Sequence, residues 1–298
     1  MDQAEGLRNI IKKKDTQRAR QPVGQTARVI TVTSGKGGVG KSSISVNLAI
    51  ALSQRGRRVV VLDADFGLAN VEIMLGIHPE YNLADLMFHG RSITDIITYG
   101  PENVGFISGG SGIEEMANLT REQVFHLIHK LGELDRLADV IIVDTGAGIG
   151  NTVLEFVAAS SEVLLVTTPE PTSITDAYAL LKSLNRCSSY SSGQTVVKMI
   201  ANQVRDSQDA NELFKKIGVV VNKFLDIKIE YLGGVPYDPN MSRAVIRQEP
   251  IVLSAPRSVT ARALNGLADK LVSRERRVGQ RPGIMQLFSS VMQTKFKR

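Results

Sequence analysis

Short unbroken apolar runs alternate along this chain with segments whose apolar residues recur every three or four positions. The runs Val29–Thr33, Val59–Leu62, Val104–Ser108, Ala138–Val143, Val163–Thr167 and Thr195–Ala201 are rich in β-branched residues and read as strands. Between them, Ile44, Leu48, Ala51 and Leu52 keep helical spacing. So do Val124, Leu127, Ile128 and Leu131, in a helix introduced by Leu119-Thr120 and running to Gly132. Short helical pieces are expected at Ile73–Leu75, Leu83–Met87 and Asn211–Ile217, and a longer helix capped by Thr172 or Ser173 runs to Leu184. The last helix of the body spans Val259 or Thr260 to Val272, with Leu264, Leu267, Ala268 and Leu271 facing inward. Strands that are apolar throughout are buried on both faces. The pattern therefore predicts an α/β fold with a mostly parallel sheet flanked by helices on both faces. No internal repeat and no domain boundary is visible within 29–273, which leaves 1–28 as a leader and 274–298 as a tail.

The densest chemistry lies where the first run meets the first helix, in VITVTSGKGGVGKSSISVNLAIAL. Gly35-x-x-x-x-Gly40-Lys41-Ser42 is a complete phosphate-binding loop, in the strand–loop–helix context that such a loop needs. Gly35, Gly37, Gly38 and Gly40 let the backbone curl so that N–H groups converge on an anion, and the helix adds its positive end. Lys41 would reach β- and γ-phosphates, and the Ser42 hydroxyl would join the shell of a Mg²⁺ ion. Val39 and Ser43 complete the loop's lining. Two further runs end in carboxylates, Asp63-Ala-Asp65 and Asp144-Thr-Gly-Ala-Gly148. An aspartate directly after a buried strand sits at the carboxyl edge of the sheet, where open α/β folds place ligands. Asp144 is the expected carboxylate behind the Mg²⁺ shell, and Gly146 can bring its N–H to a γ-phosphate. Gly109 to Gly112 resembles a second anion loop but has no closing Lys-Ser/Thr, and reads as a flexible loop.

Charge changes the picture only once it is divided. The 298 residues carry a net +6, but residues 1–28 hold seven Lys/Arg against three Asp/Glu, and residues 274–298 hold seven against one. The body between them is net negative, so a basic surface for nucleic acid or anionic lipid is expected at the ends. A single cysteine, Cys187, offers no intramolecular disulfide and no bridging metal cluster. No apolar run is long enough for a membrane span, and the first residues lack a secretion signal.

Lys36, inside the loop, completes the signature KGGVGKS. A second cation is hard to place in a site that Lys41 already serves. It is explained if two subunits face each other and Lys36 crosses to the partner's phosphates. With these residues the chain resembles the deviant Walker A ATPases of the MinD/ParA group, and within it the FlhG (FleN, YlxH) branch that regulates flagellar number and placement. The resemblance covers nearly the whole chain. It implies ATP and Mg²⁺ as ligands, a homodimer in the ATP state, and Lys36 acting across it. It also implies Asp65 polarising the attacking water and Asp63 supporting the Mg²⁺ site. Asn202 would read adenine, the Val235–Asp238 loop (Pro236, Tyr237, Asp238) would close over the base, and Asp176 would couple nucleotide to partner binding. Thr145 stands where MinD relatives commonly have proline and removes no ligand.

The ends carry the expectations specific to this branch. Ala4, Leu7, Ile10 and Ile11 form a short amphipathic pattern. Asp2-Gln3-Ala4-x-x-Leu7-Arg8 resembles the element through which some members stimulate the GTPase FlhF, with Gln3 as the inserted side chain. At the other end Ile284, Leu287, Phe288, Val291, Met292 and Phe296 share one face, with Arg277, Arg281, Lys295, Lys297 and Arg298 nearby. A basic amphipathic helix of this kind lies in an anionic membrane interface, and two copies in a dimer would bind more tightly than one. The alternative is docking on the chain's own body; both hold in turn if the helix docks in the monomer and leaves in the dimer. The expected locations are the cytoplasm and the cytoplasmic face of the membrane, with flagellar basal-body or C-ring components as further partners and nucleic acid unlikely on the negative body. Competing assignments are a ParA-type DNA-segregation ATPase, which shares every nucleotide residue, and a metabolic P-loop enzyme such as a nitrogenase-reductase relative, for which one cysteine is too few.

Overall fold

The computed structural model describes residues 26–65, 70–110, 120–187, 190, 195–273 and 283–295. Asp2, Gln3, Ala4, Leu7, Arg8 and Phe296, and the side chain of Met292, lie outside that part. Eight strands form one sheet in the order β3-β4-β2-β5-β1-β6-β7-β8. They are β1 (Arg28–Ser34), β2 (Val59–Ala64), β3 (Thr98–Tyr99), β4 (Gly105–Ile107), β5 (Val140–Ala147), β6 (Glu162–Thr167), β7 (Val196–Val204) and β8 (Ile229–Pro236). All pairings are parallel except the β3–β4 edge. The helices include α1 (Lys41–Ser53), α2 (Asn70–Leu75), α3 (Arg121–Leu131), α4 (Asn151–Ala159), α5 (Pro171–Asn185), α6 (Ser207–Phe224), α7 (Pro239–Ile246), α8 (Val259–Ser273) and α9 (Ile284–Lys295), with a further six-residue helix at Leu83–Phe88.

The period-two geometry of a strand sorts the apolar runs onto two faces. Ile30, Val32, Val59, Val61, Val140 and Ile142 join α1 and α8 in one core, while Val29, Val60, Leu62, Ile141 and Val143 join α3, α4 and α9 in the other. A third cluster packs β6 and β7 against α5 and α6. Because β5 lies between β1 and β2, three strand ends deliver their loops side by side at the carboxyl edge. Register aligns Asp63 of β2 with Asp144 of β5, and Asp144 with Val32 of β1.

Several elements differ from the sequence expectation. The helix α5 is capped at Glu170 with Pro171 at its first position, not at Thr172 or Ser173. Proline fits there because its missing N–H would have no intrahelical partner anyway. Ser173 instead turns its hydroxyl toward Thr167 Oγ1 at 3.0 Å and accepts the Thr168 N–H at 3.0 Å. Strand β7 continues past Asn202 to Val204, and α6 runs over 18 residues rather than the predicted seven. The two-residue β3, the short helices Ile93–Ile96, Leu134–Leu137 and Ile251–Ser254, and the helices α4 and α7 are too short or too mixed to stand out as patterns. Thr120 does cap α3, in a reciprocal box with Gln123.

The tail helix α9 is docked. Ile284, Leu287, Phe288 and Val291 are buried between α3 and α4, and the Phe288 ring meets Phe156 edge-on at 5.3 Å. The apolar face expected to meet lipid therefore packs against the body in this state, the alternative that the sequence left open. Among the described residues no helix is long and apolar enough to cross a membrane.

Candidate functional site

The loop between β1 and α1 is shaped by two close approaches. A side chain on Gly35 would run into the backbone of α5 at Asp176 and Ala177. Gly40, left-handed at φ 88°, presses against the Asn202 amide, and Gly38 is left-handed at φ 78°. Asn202 donates its Nδ2 to the Val39 carbonyl at 2.7 Å, tying the end of β7 to the loop. No side chain caps α1, and its first turn holds no acid. Its leading N–H groups and dipole therefore remain directed at the loop, which suits a phosphate.

Behind the loop lies a buried polar cluster. Asp144 is 1% exposed. Its Oδ2 accepts from Lys41 Nζ at 2.9 Å and from Ser42 Oγ at 2.6 Å, and its Oδ1 accepts from Ser45 Oγ at 2.6 Å. Asp63, 2% exposed, stands beside it in register. Burial pushes the Asp63 carboxyl up to about 7, the neighbouring Asp144 charge adds to the rise, and the Asp65 N–H (3.0 Å) and Lys41 oppose it. Asp65 follows β2 at the rim, with its Oδ1 3.5 Å from where a Cβ on Gly146 would lie, so the segments that leave β2 and end β5 meet there. The next turn is fixed by Gly148, whose N–H donates to the Ser34 carbonyl at 2.9 Å. A hydroxyl and two carboxylates are the hard oxygen donors that Mg²⁺ prefers, so the residues present fit both a nucleotide phosphate and that ion.

The two lysines of the loop part company. Lys41 is buried on Asp144. Lys36 points outward, its side chain 36% exposed, and donates to Glu170 Oε2 at 3.0 Å and Thr172 Oγ1 at 2.8 Å at the start of α5. Asp176, half-buried, lies one turn further along the same helix. Ser43 is buried, its Oγ 3.6 Å from Met74 Sδ of α2. Tyr237 is exposed, its N–H donating to the Val204 carbonyl at 2.8 Å, whereas Asp238 is buried and accepts the Asn240 N–H at 2.9 Å to cap α7. Pro236 accepts the Thr260 hydroxyl at 2.7 Å, which anchors the Val235–Asp238 segment to α8. Sequence reasoning missed Ser45, Glu170 and Thr172. Ser45 was detectable in principle, since it lies one helical turn after Lys41 and so on the same face.

A family model described as a NUBPL iron-transfer P-loop NTPase, ParA, matches residues 25–272. The antiactivator FleN of Pseudomonas aeruginosa is 44% identical over 246 residues, 83% of this chain and 86% of its own. The chain belongs to the MinD/ParA family of P-loop ATPases, in the FlhG branch. The flagellum site-determining protein YlxH of Helicobacter pylori is 34% identical over 92% of this chain and 91% of its own. Among solved structures, the septum site-determining protein MinD of Pyrococcus horikoshii, complexed with Mg-ADP, superposes with a TM-score of 0.66 at 25% identity. That likeness covers 85% of this chain and all of the MinD chain. A MinD/ParA ATPase thus has its phosphate loop, Lys41, Ser42, Asp63 and Asp144 gathered at one sheet edge, with Lys36 on the outer rim.

Proposed function

We propose that the chain is a slow, ATP-dependent dimerising switch that regulates the number or placement of flagella. One observation carries the switch: of two loop lysines, one is buried on the site's own carboxylate and the other faces out. A half-exposed cation on the rim is available to the phosphates of a second copy, while Lys41 serves its own. Similarity to FleN and YlxH supports the flagellar role.

In this reading the loop N–H groups and Lys41 bind the phosphates, with Lys41 leaving Asp144 to do so. Ser42, backed by Asp144 and Asp63, holds Mg²⁺, which when bound offsets phosphate charge. Asp65 accepts a hydrogen bond from the attacking water and orients it. Lys36 exchanges Glu170 and Thr172 for the partner's nucleotide. The Lys36–Glu170 pair is exposed and worth about 1 kcal/mol or less, so this exchange costs little. Asn202 and the Pro236–Asp238 segment flank the base, and Asp176 beside the loop couples occupancy to a partner. Dimerisation would release α9 to anionic lipid, a peripheral attachment at the cytoplasmic face, and Gln3 in the leader would serve an FlhF-type GTPase.

The deciding test is chromatographic sizing of the protein and of Asp65→Ala with ATP and with ADP. The variant should run as a dimer with ATP and a monomer with ADP, and adding Lys36→Ala should abolish the dimer. An Asp65→Ala protein that binds ATP yet stays monomeric at every concentration would overturn the proposal.

A further inference from the structure

Asp144 has three side-chain partners, and two of them have work elsewhere once nucleotide is bound. Lys41 and Ser42 both sit on Oδ2, and both are the groups expected to turn to phosphate and Mg²⁺. The third partner, Ser45, bonds Oδ1 at 2.6 Å and is fully buried within α1. A buried carboxylate that lost two donors at once, 1% exposed and beside a second carboxylate, would be free to rotate away from the ion site. We propose that Ser45 is a positioning residue for Asp144, pinning Oδ1 so that Oδ2 stays turned toward the ion site when Lys41 and Ser42 leave it.

Geometry supports this role over simple helix packing. The Ser45 hydroxyl has one proton and two acceptors in reach, Asp144 Oδ1 at 2.6 Å and the Lys41 carbonyl at 3.2 Å. The shorter, charge-assisted bond is the stronger, so the proton points at the carboxylate. Ser45 also sits on the same helix as Lys41 and Ser42. The residue that holds the carboxylate and the residues that release it are therefore rigidly spaced one turn apart. Groups behind a metal's direct ligands typically contribute roughly 10- to 100-fold to its affinity; Asp144 is such a group, and Ser45, one bond further back, contributes a part of that.

This inference rests on Asp144 standing behind the Mg²⁺ site, and the experiment separates the two. ADP affinity of the full chain is measured calorimetrically in EDTA and across a Mg²⁺ series for wild type, Ser45→Ala, Ser45→Cys and Asp144→Asn. Ser45→Ala should match wild type in EDTA. Its half-saturating Mg²⁺ concentration should rise severalfold, up to about 10-fold, with Ser45→Cys, a weaker donor of similar size, in between. If Ser45→Ala weakens ADP equally with and without Mg²⁺, Ser45 is only a packing residue and the inference fails. It fails too if Ser45→Ala keeps the wild-type Mg²⁺ response while Asp144→Asn loses it. An Asp144→Asn protein with an unchanged Mg²⁺ response would instead remove the reading of Asp144, and this inference with it.

Discussion

At Gly35 a single missing methyl group decides whether the phosphate loop can close. The space where a Cβ would stand is occupied by the backbone of α5 at Asp176 and Ala177, which cannot swing aside as a side chain could. Gly35→Ala should therefore push the loop and α5 apart, costing roughly 1–3 kcal/mol as an overpacked core does. ADP affinity, read by titration, should fall at least as far as stability. Gly37→Ala makes the matched control, because nothing lies within 4 Å of its added carbon. It should retain wild-type stability in thermal melts. A Gly35→Ala protein with unchanged melting and unchanged ADP binding would show that α5 does not brace the loop. Residue-scale chemistry of this sort is partly written in the sequence. The glycine spacing, Lys41, Ser42 and the two post-strand aspartates announce themselves, because backbone geometry forces those residue types into fixed offsets. The contact of Gly35 with α5 does not, since more than 130 positions along the chain separate its two sides.

Elements divide in the same way. Strands β1, β2, β5 and β6 are legible because each carries a short run of β-branched and apolar residues buried on both faces of the sheet. By contrast β3, two residues long and antiparallel at an edge, carries no pattern that distinguishes it from a loop. The length of α6 was underestimated because only the inner stripe at Ala210, Leu213, Ile217, Gly218 and Val221 is buried, while Val219, Val220 and Phe224 on its outer side break the expected polarity. For α9 the amphipathic pattern was plain, but a stripe of Ile, Leu, Phe and Val fits lipid and protein equally well. Only the shape of the α3–α4 groove, with Phe156 opposite Phe288, selects docking in this state. Phe288→Ala removes the largest contact and should weaken the docked helix by about 3–5 kcal/mol if the site does not collapse. The expected readout is faster backbone hydrogen exchange in 284–291 with little change in β1 or β5. Unchanged exchange in 284–291 would contradict the docked packing.

Across the whole molecule, the two edges of the sheet titrate in opposite directions, which gives stability a definite dependence on pH. At the carboxyl edge Asp63 is raised from 3.8 to about 7, so between those values the folded chain keeps a proton that the unfolded chain has released. Its stabilisation is complete below about 4 and is lost as pH rises through about 7. At the amino edge, burial pushes the Glu162 carboxyl up, but the Arg28 guanidinium, bonded at 2.8 Å to each carboxylate oxygen, and Lys198 at 2.6 Å hold it below its usual range. Its contribution is present above about 4.5 and is lost as pH falls through the depressed value. Nucleotide-free protein in EDTA should thus be most stable in mildly acid solution, with melting temperature declining on both sides. Asp63→Asn should remove most of the decline between about pH 5 and 8, leaving the variant more stable than wild type at pH 8 by a few kcal/mol, roughly 5–10 °C. Glu162→Gln should leave that upper decline in place and lower stability near neutrality, because it strips Arg28 and Lys198 of a buried countercharge. Melting curves for the three proteins across the pH range decide the point. If Asp63→Asn tracks wild type from pH 5 to 8, Asp63 does not hold its proton in the empty site, and the crowding of carboxylates behind the phosphate loop is relieved in some other way.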